Sequence, residues 1–127
     1  MQNGTEAKIR QDLLLEIQTL EHHHHILLAF LTGTDYAPAT VGNSLQAFKD
    51  SLSRASTYVL ALYNLKGQQI NIPWESLFSN LDYALTALSV SASVTQRDAV
   101  RTILAMSKEQ IQQVLTYFVA LKKSLTT

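Results

Sequence analysis

Glu21, His22, His23, His24 and His25 lie together in the stretch LEHHHHILLAF, which runs from Leu20 to Phe30. Imidazole nitrogens bind transition metals and exchange protons near neutral pH, and a carboxylate beside them supplies an anionic ligand or a proton partner. Four histidines in a row are also what a purification tag contains. A tag has no reason to keep the phase of a helix, whereas His24 falls between Leu20 and Leu27 on an apolar row that resumes in step afterwards.

Helix geometry limits what these residues can do. Successive positions turn by about 100°, so four consecutive histidines fan around most of the circumference and cannot share one ion. Residues three and four apart are neighbours, which brings Glu21 towards His24 or His25 and makes His22 and His25 another pair. Glu21-x-x-His24 has the spacing of carboxylate-bridged di-iron bundles, in which two helices each carry such a pair and two others each carry a glutamate. This chain has one such pair and no histidine elsewhere. A metal or redox reading therefore rests on Glu21, His24 and His25, and needs a second copy to complete the ligand set. The simpler reading makes His24 a partly buried, hydrogen-bonded residue of a helical bundle and leaves the other three histidines more exposed.

Other catalytic patterns are missing. The four glycines form neither a phosphate-binding loop nor a dinucleotide fingerprint, and no serine sits in a G-x-S-x-G elbow. Glu75 and Asp82 lie two helical turns apart and can share a face. Without further partners such a pair is a solvated surface rather than an acid–base couple.

The elements that would position these residues are read from apolar spacing. Steps of four and three give Leu13, Ile17, Leu20, His24, Leu27 and Leu31 in the first segment, and Val41, Leu45, Phe48, Leu52, Ala55, Val59 and Leu62 in the second. The third row is Trp74, Phe78, Leu81, Leu85, Leu88 and Ala92; the fourth is Val100, Leu104, Ser107, Ile111, Val114, Phe118, Leu121 and Leu125. This is the period of helices packed at a shallow angle. Gly33 and Gly67 mark C-terminal caps, while Pro38 and Pro73 suit first turns. Thr95 and Asp98 have the spacing of a capping box. The rows predict helices near residues 5–32, 39–66, 73–92 and 96–124, joined by short connections that favour antiparallel neighbours. The expected architecture is all-α, an up-down antiparallel four-helix bundle in a single domain, 1–127.

Composition narrows the function classes. The absence of cysteine excludes disulfides, thiolate zinc sites and cysteine nucleophiles, and fits a reducing compartment such as the cytoplasm. Ten basic residues balance ten acidic ones without a basic stripe, so no nucleic-acid surface is expected. The opening MQNGTEAKIRQD lacks the plan of a signal peptide, and the longest apolar run, Ile26–Leu31, is far short of the ~20 residues needed to span a membrane. Charged residues make up 16% of the chain, below the usual share of about 25%, which hints at surface covered in an assembly.

The third helix supplies the place for such a contact. Between Pro73 and Thr95 its only charges are Glu75 and Asp82, and a second row, Tyr83, Ala87, Val90 and Val94, recurs at steps of four and three. Tyr83 is two residues from Leu81, which puts this row on roughly the opposite face. The sequence thus predicts a non-enzymatic interaction or assembly module without cofactor, which pairs with itself or with another protein through Tyr83, Ala87, Val90 and Val94. The alternative is the histidine–carboxylate metal protein.

Overall fold

The computed structural model describes residues 4–34, 37–69, 74–90 and 94–126, with the side chains of all of these except 38, 88–90 and 94–97. Four helices account for almost all of them: α1 (Gly4–Leu31), α2 (Pro38–Leu65), α3 (Glu75–Val90) and α4 (Val94–Thr126). Each packs against two others, in the ring α1–α2–α3–α4 and back to α1. Cross-helix contacts give the directions. Glu16 meets Ser51 and Arg54 while His23 meets Ser44, Trp74 meets Phe118 while Asn80 meets Gln110, and Glu21 meets Lys122 while Phe30 meets Arg101. In each series the numbering rises on one helix and falls on the other, so these neighbours are antiparallel. The up-down four-helix bundle expected from the apolar rows is the architecture of the chain.

The helices stop where the backbone makes them stop. Gly33 and Gly67 have φ of +113° and +72°, conformations that side chains with a Cβ rarely adopt. Both occupy six-residue C-terminal turns: Thr34 N–H donates to the Ala29 carbonyl at 2.9 Å, and Gln68 N–H donates to the Tyr63 carbonyl at 2.9 Å. Pro38 opens α2, where its missing N–H costs no helical hydrogen bond. Val94 already belongs to α4, so that helix begins before the expected start at 96, and the side-chain geometry of the Thr95 capping box lies outside the described residues.

The core follows the rows closely on α2 and α4. Val41, Leu45, Phe48, Leu52, Ala55, Val59 and Leu62 are all buried. So are Val100, Leu104, Ser107, Ile111, Val114 and Phe118, with Leu121 and Leu125 partly buried beyond them. On α1 the deepest line ends on Phe30 rather than Leu31, because a step of three from Leu27 carries it inward at that end. On α3 the deepest positions are Leu77, Leu81 and Ala84, while Trp74, Phe78 and Leu85 pack at the edge. The two lines share Leu81 and form one wide face, as a helix gripped between two neighbours requires. Buried serines are satisfied: Ser56 and Ser107 donate to carbonyls one turn back, and Ser51 donates across to the Glu16 carboxylate on α1 at 2.6 Å.

Candidate functional site

The histidine run sits in the C-terminal half of α1, and its two half-buried members divide between the two helices that flank α1. His23 and His24 straddle the core line: His23 is three residues after Leu20 and four before Leu27, and His24 is the reverse. His23 leans towards α2, where its Nδ1 lies 3.2 Å from the hydroxyl of buried Ser44. His24 leans towards α4. Both are half-buried, and burial holds both imidazoles below the ordinary value, with a neighbouring histidine adding to the shift in each case. His22 and His25 are exposed. The expectation that only His24 is drawn inward needs correcting for His23. An apolar stripe is wider than one row, and two residues at three and four from the same leucine share its edges.

Glu21, His24 and His25 do converge, on a groove between α1 and α4. Its volume is about 650 Å³, and it is open to solvent. Leu28, Leu115, Val119 and Ala120 give it an apolar surface, and Gln112, Thr116 and Lys123 complete a polar rim with the histidines. Glu21 is already engaged, since Lys122 donates to its Oε1 at 3.1 Å. Among the described residues, no three of the His, Asp and Glu side chains are arranged to hold a metal ion. The groove thus gathers the residues of the metal reading as part of a larger mixed surface rather than as a ligand cage.

One end of α1 is tied to α4 by Arg101. Its guanidinium lies 4.5 Å from the centre of the Phe30 ring, and its Nε donates to the Phe30 carbonyl at 3.2 Å. A cation at a helix C-terminus offsets the partial negative charge of the last carbonyls. Further back along the same seam the Glu21–Lys122 pair links the two helices again, so α1 and α4 are held at two levels with the groove between them.

The expected interface row is only partly a row. Tyr83 is 69% exposed. Ala87 is half-buried and packs on the core, because it lies three residues beyond buried Ala84. Val90 is the last residue of α3 and Val94 the first of α4, so the row cannot run along one helix; the side chains of both lie outside the described residues. The companion of Tyr83 is instead Met106 on α4, 78% exposed. The side chains of Asn80 and Gln110 touch at 3.4 Å and set the register of α3 against α4. Tyr83 comes one turn after Asn80, and Met106 one turn before Gln110, so in antiparallel helices both lie at the same level. Their chain neighbours Ala84 and Ser107 are buried, so Tyr83 and Met106 each stand about 100° from the buried line of their own helix and face solvent. Met106 belongs to no apolar row, and in the sequence it only closes the short apolar run 103–106, which carries no sign of its exposure.

No family model, curated protein or solved structure matches the chain. Among the described residues, no helix is long and apolar enough to cross a membrane.

Proposed function

We propose that the chain is a non-enzymatic assembly module that pairs with a second copy of itself through the outer α3–α4 seam. The observation that carries this reading is the pair of protruding side chains: Tyr83 and Met106 are 69% and 78% exposed at one level of the bundle. Tyrosine and methionine are both enriched in interface cores, where a large side chain gives up much apolar area on contact. Side-by-side placement favours a two-fold pairing. Rotation about an axis between them lays Tyr83 of one copy against Met106 of the other, and sulfur–aromatic contacts are favourable. A chain with zero formal net charge sets up no overall repulsion between copies. Ala87 and Asn80 border the patch, and Val90 stands at the end of the same helix.

Sedimentation of the full chain over a concentration series tests the reading. The expected outcome is a concentration-dependent dimer that Met106→Lys and Tyr83→Lys each weaken by about tenfold or more, as for interface positions worth over about 1.4 kcal/mol. Helix content by circular dichroism should be unchanged in both variants. A monomer at the highest concentration would overturn it.

A further inference from the structure

The α1–α4 groove lies on the opposite side of α4 from the proposed pairing surface, and nothing in self-association uses it. Its volume, about 650 Å³, falls within the range of small-molecule sites, and the space between helices of a bundle is a usual place for one. From Gln112 to Lys123 it runs about 16 Å along α4, at roughly 1.5 Å per residue. The lining has the two parts such sites share: an apolar surface of Leu28, Leu115 and Val119, and a few polar groups at the rim.

The charges select the ligand. Glu21 is neutralised by Lys122 at 3.1 Å. Lys123 lines the same groove and is in no ion pair among the described residues, so its ammonium is the cation of the lining left to meet a ligand. The imidazole of His25 lines the same groove, is exposed and offers a hydrogen-bond donor. One cation suits a monoanion. The lining residues lie in the body of α1 and α4, with Lys123 in the last turn of α4, and at all these positions the backbone N–H groups are used by the helices themselves. The array of free N–H groups that holds a phosphate at a helix N-terminus is therefore missing here. A carboxylate needs fewer donors, and a hydrocarbon body is what the leucines and Val119 would cover.

We infer that this groove binds a small organic carboxylate, its hydrocarbon part on Leu28, Leu115 and Val119 and its carboxylate at Lys123 and His25. His24 lies in the wall between the two parts. His23 is turned to Ser44 on the far side of α1 and reports on the fold without touching the ligand.

The test is titration of the full chain with octanoate, with its neutral amide octanamide, and with inorganic phosphate. Binding is read by calorimetry and by the imidazole proton resonances. Octanoate should bind saturably at one equivalent per chain and move the His24 and His25 signals more than those of His22 and His23. Octanamide and the Lys123→Met variant should each bind about tenfold or more weakly, the usual scale for losing a charged hydrogen bond. Val119→Trp should fill the groove and abolish binding while helix content is retained. Four results would each overturn the proposal: no saturable octanoate binding at millimolar concentration, equal binding of octanoate and octanamide, unaltered binding in Lys123→Met, or phosphate moving His24 and His25 as octanoate does.

Discussion

The two seams that flank α4 are built from similar material and end up with opposite relief. On the α1 side the surface recedes: Leu115 is buried, Ala120 is small, and the longer Glu21 and Lys123 stand at the rim of a groove of about 650 Å³. On the α3 side it projects, with Tyr83 and Met106 standing out at one level. A concave surface with few placed polar groups suits a small molecule, which it can surround. A convex apolar one gains most from a second protein surface, which supplies the missing concavity. The difference comes from which residues stand beside the core line, since the core itself continues under both seams through Leu104, Ile111, Val114 and Phe118.

The largest effect expected is one that removes both seams together. Phe118 is fully buried and its ring lies 5.3 Å from that of Trp74, tilted by 50°, so Phe118→Ala should destabilise the fold by about 3–5 kcal/mol in urea denaturation. A loss under about 1 kcal/mol would mean that α4 is not the shared support it is taken for here. Next come the paired tests of independence. Met106→Lys should weaken self-association by about tenfold or more and leave octanoate affinity unchanged. Val119→Trp should do the reverse, removing octanoate binding and leaving the sedimentation behaviour as it is. Either variant disturbing both readouts would break the comparison, because the seams would then be one coupled surface.

A smaller effect concerns Arg101, which closes the Phe30 end of the α1–α4 seam. Arg101→Ala removes a charged hydrogen bond and the contact with the Phe30 ring, and should cost about 1–3 kcal/mol. Hydrogen exchange should then quicken at the end of α1 before it does at the α3–α4 seam. Uniform quickening across the bundle would contradict the local role.

The smallest effect is a pH dependence on the groove side. Burial depresses the folded-state value of His24 below the ordinary 6.5, so the unfolded chain binds its proton more readily than the folded one. The resulting stability is fully present above pH 6.5 and is lost as the pH falls through the folded value. His23 acts in the same direction. His24→Gln should flatten the fall in stability on mild acidification, measured as urea midpoints at a series of pH values. An unchanged slope would mean that His24 is as solvated as His25.

Much of the bundle is legible in single residues. Every member of the second row, from Val41 to Leu62, is buried, because a helix that packs along its whole length keeps its step of four and three throughout. The third helix is less legible. Its short α3 turns a face between α2 and α4 wide enough to include Leu77 and Ala84, so a single row through Trp74 and Phe78 marks only one edge. The same width explains why Ala87 packs inward and why His23 shares the burial of His24. Of the groove, Glu21, His24 and His25 stand out as chemistry-bearing residues at helical spacing, whereas Lys123, Thr116 and Val119 carry no local sign of belonging with them.

What the chain determines by itself is what depends on local geometry. The rise and turn of a helix make apolar residues at steps of four and three face one way, and Gly33, Gly67 and Pro38 punctuate the segments through their own backbone preferences. What the tertiary structure decides is which faces become neighbours. Glu21 and Lys122 meet across 101 positions of sequence, and only the closing of the ring between α1 and α4 puts Lys123 on the same groove as the histidines. Tyr83 and Met106 likewise come to one level of the bundle through the antiparallel register set beside Asn80 and Gln110. Spacing along one helix cannot encode that register, because it arises from the fit of two surfaces and not from the period of either.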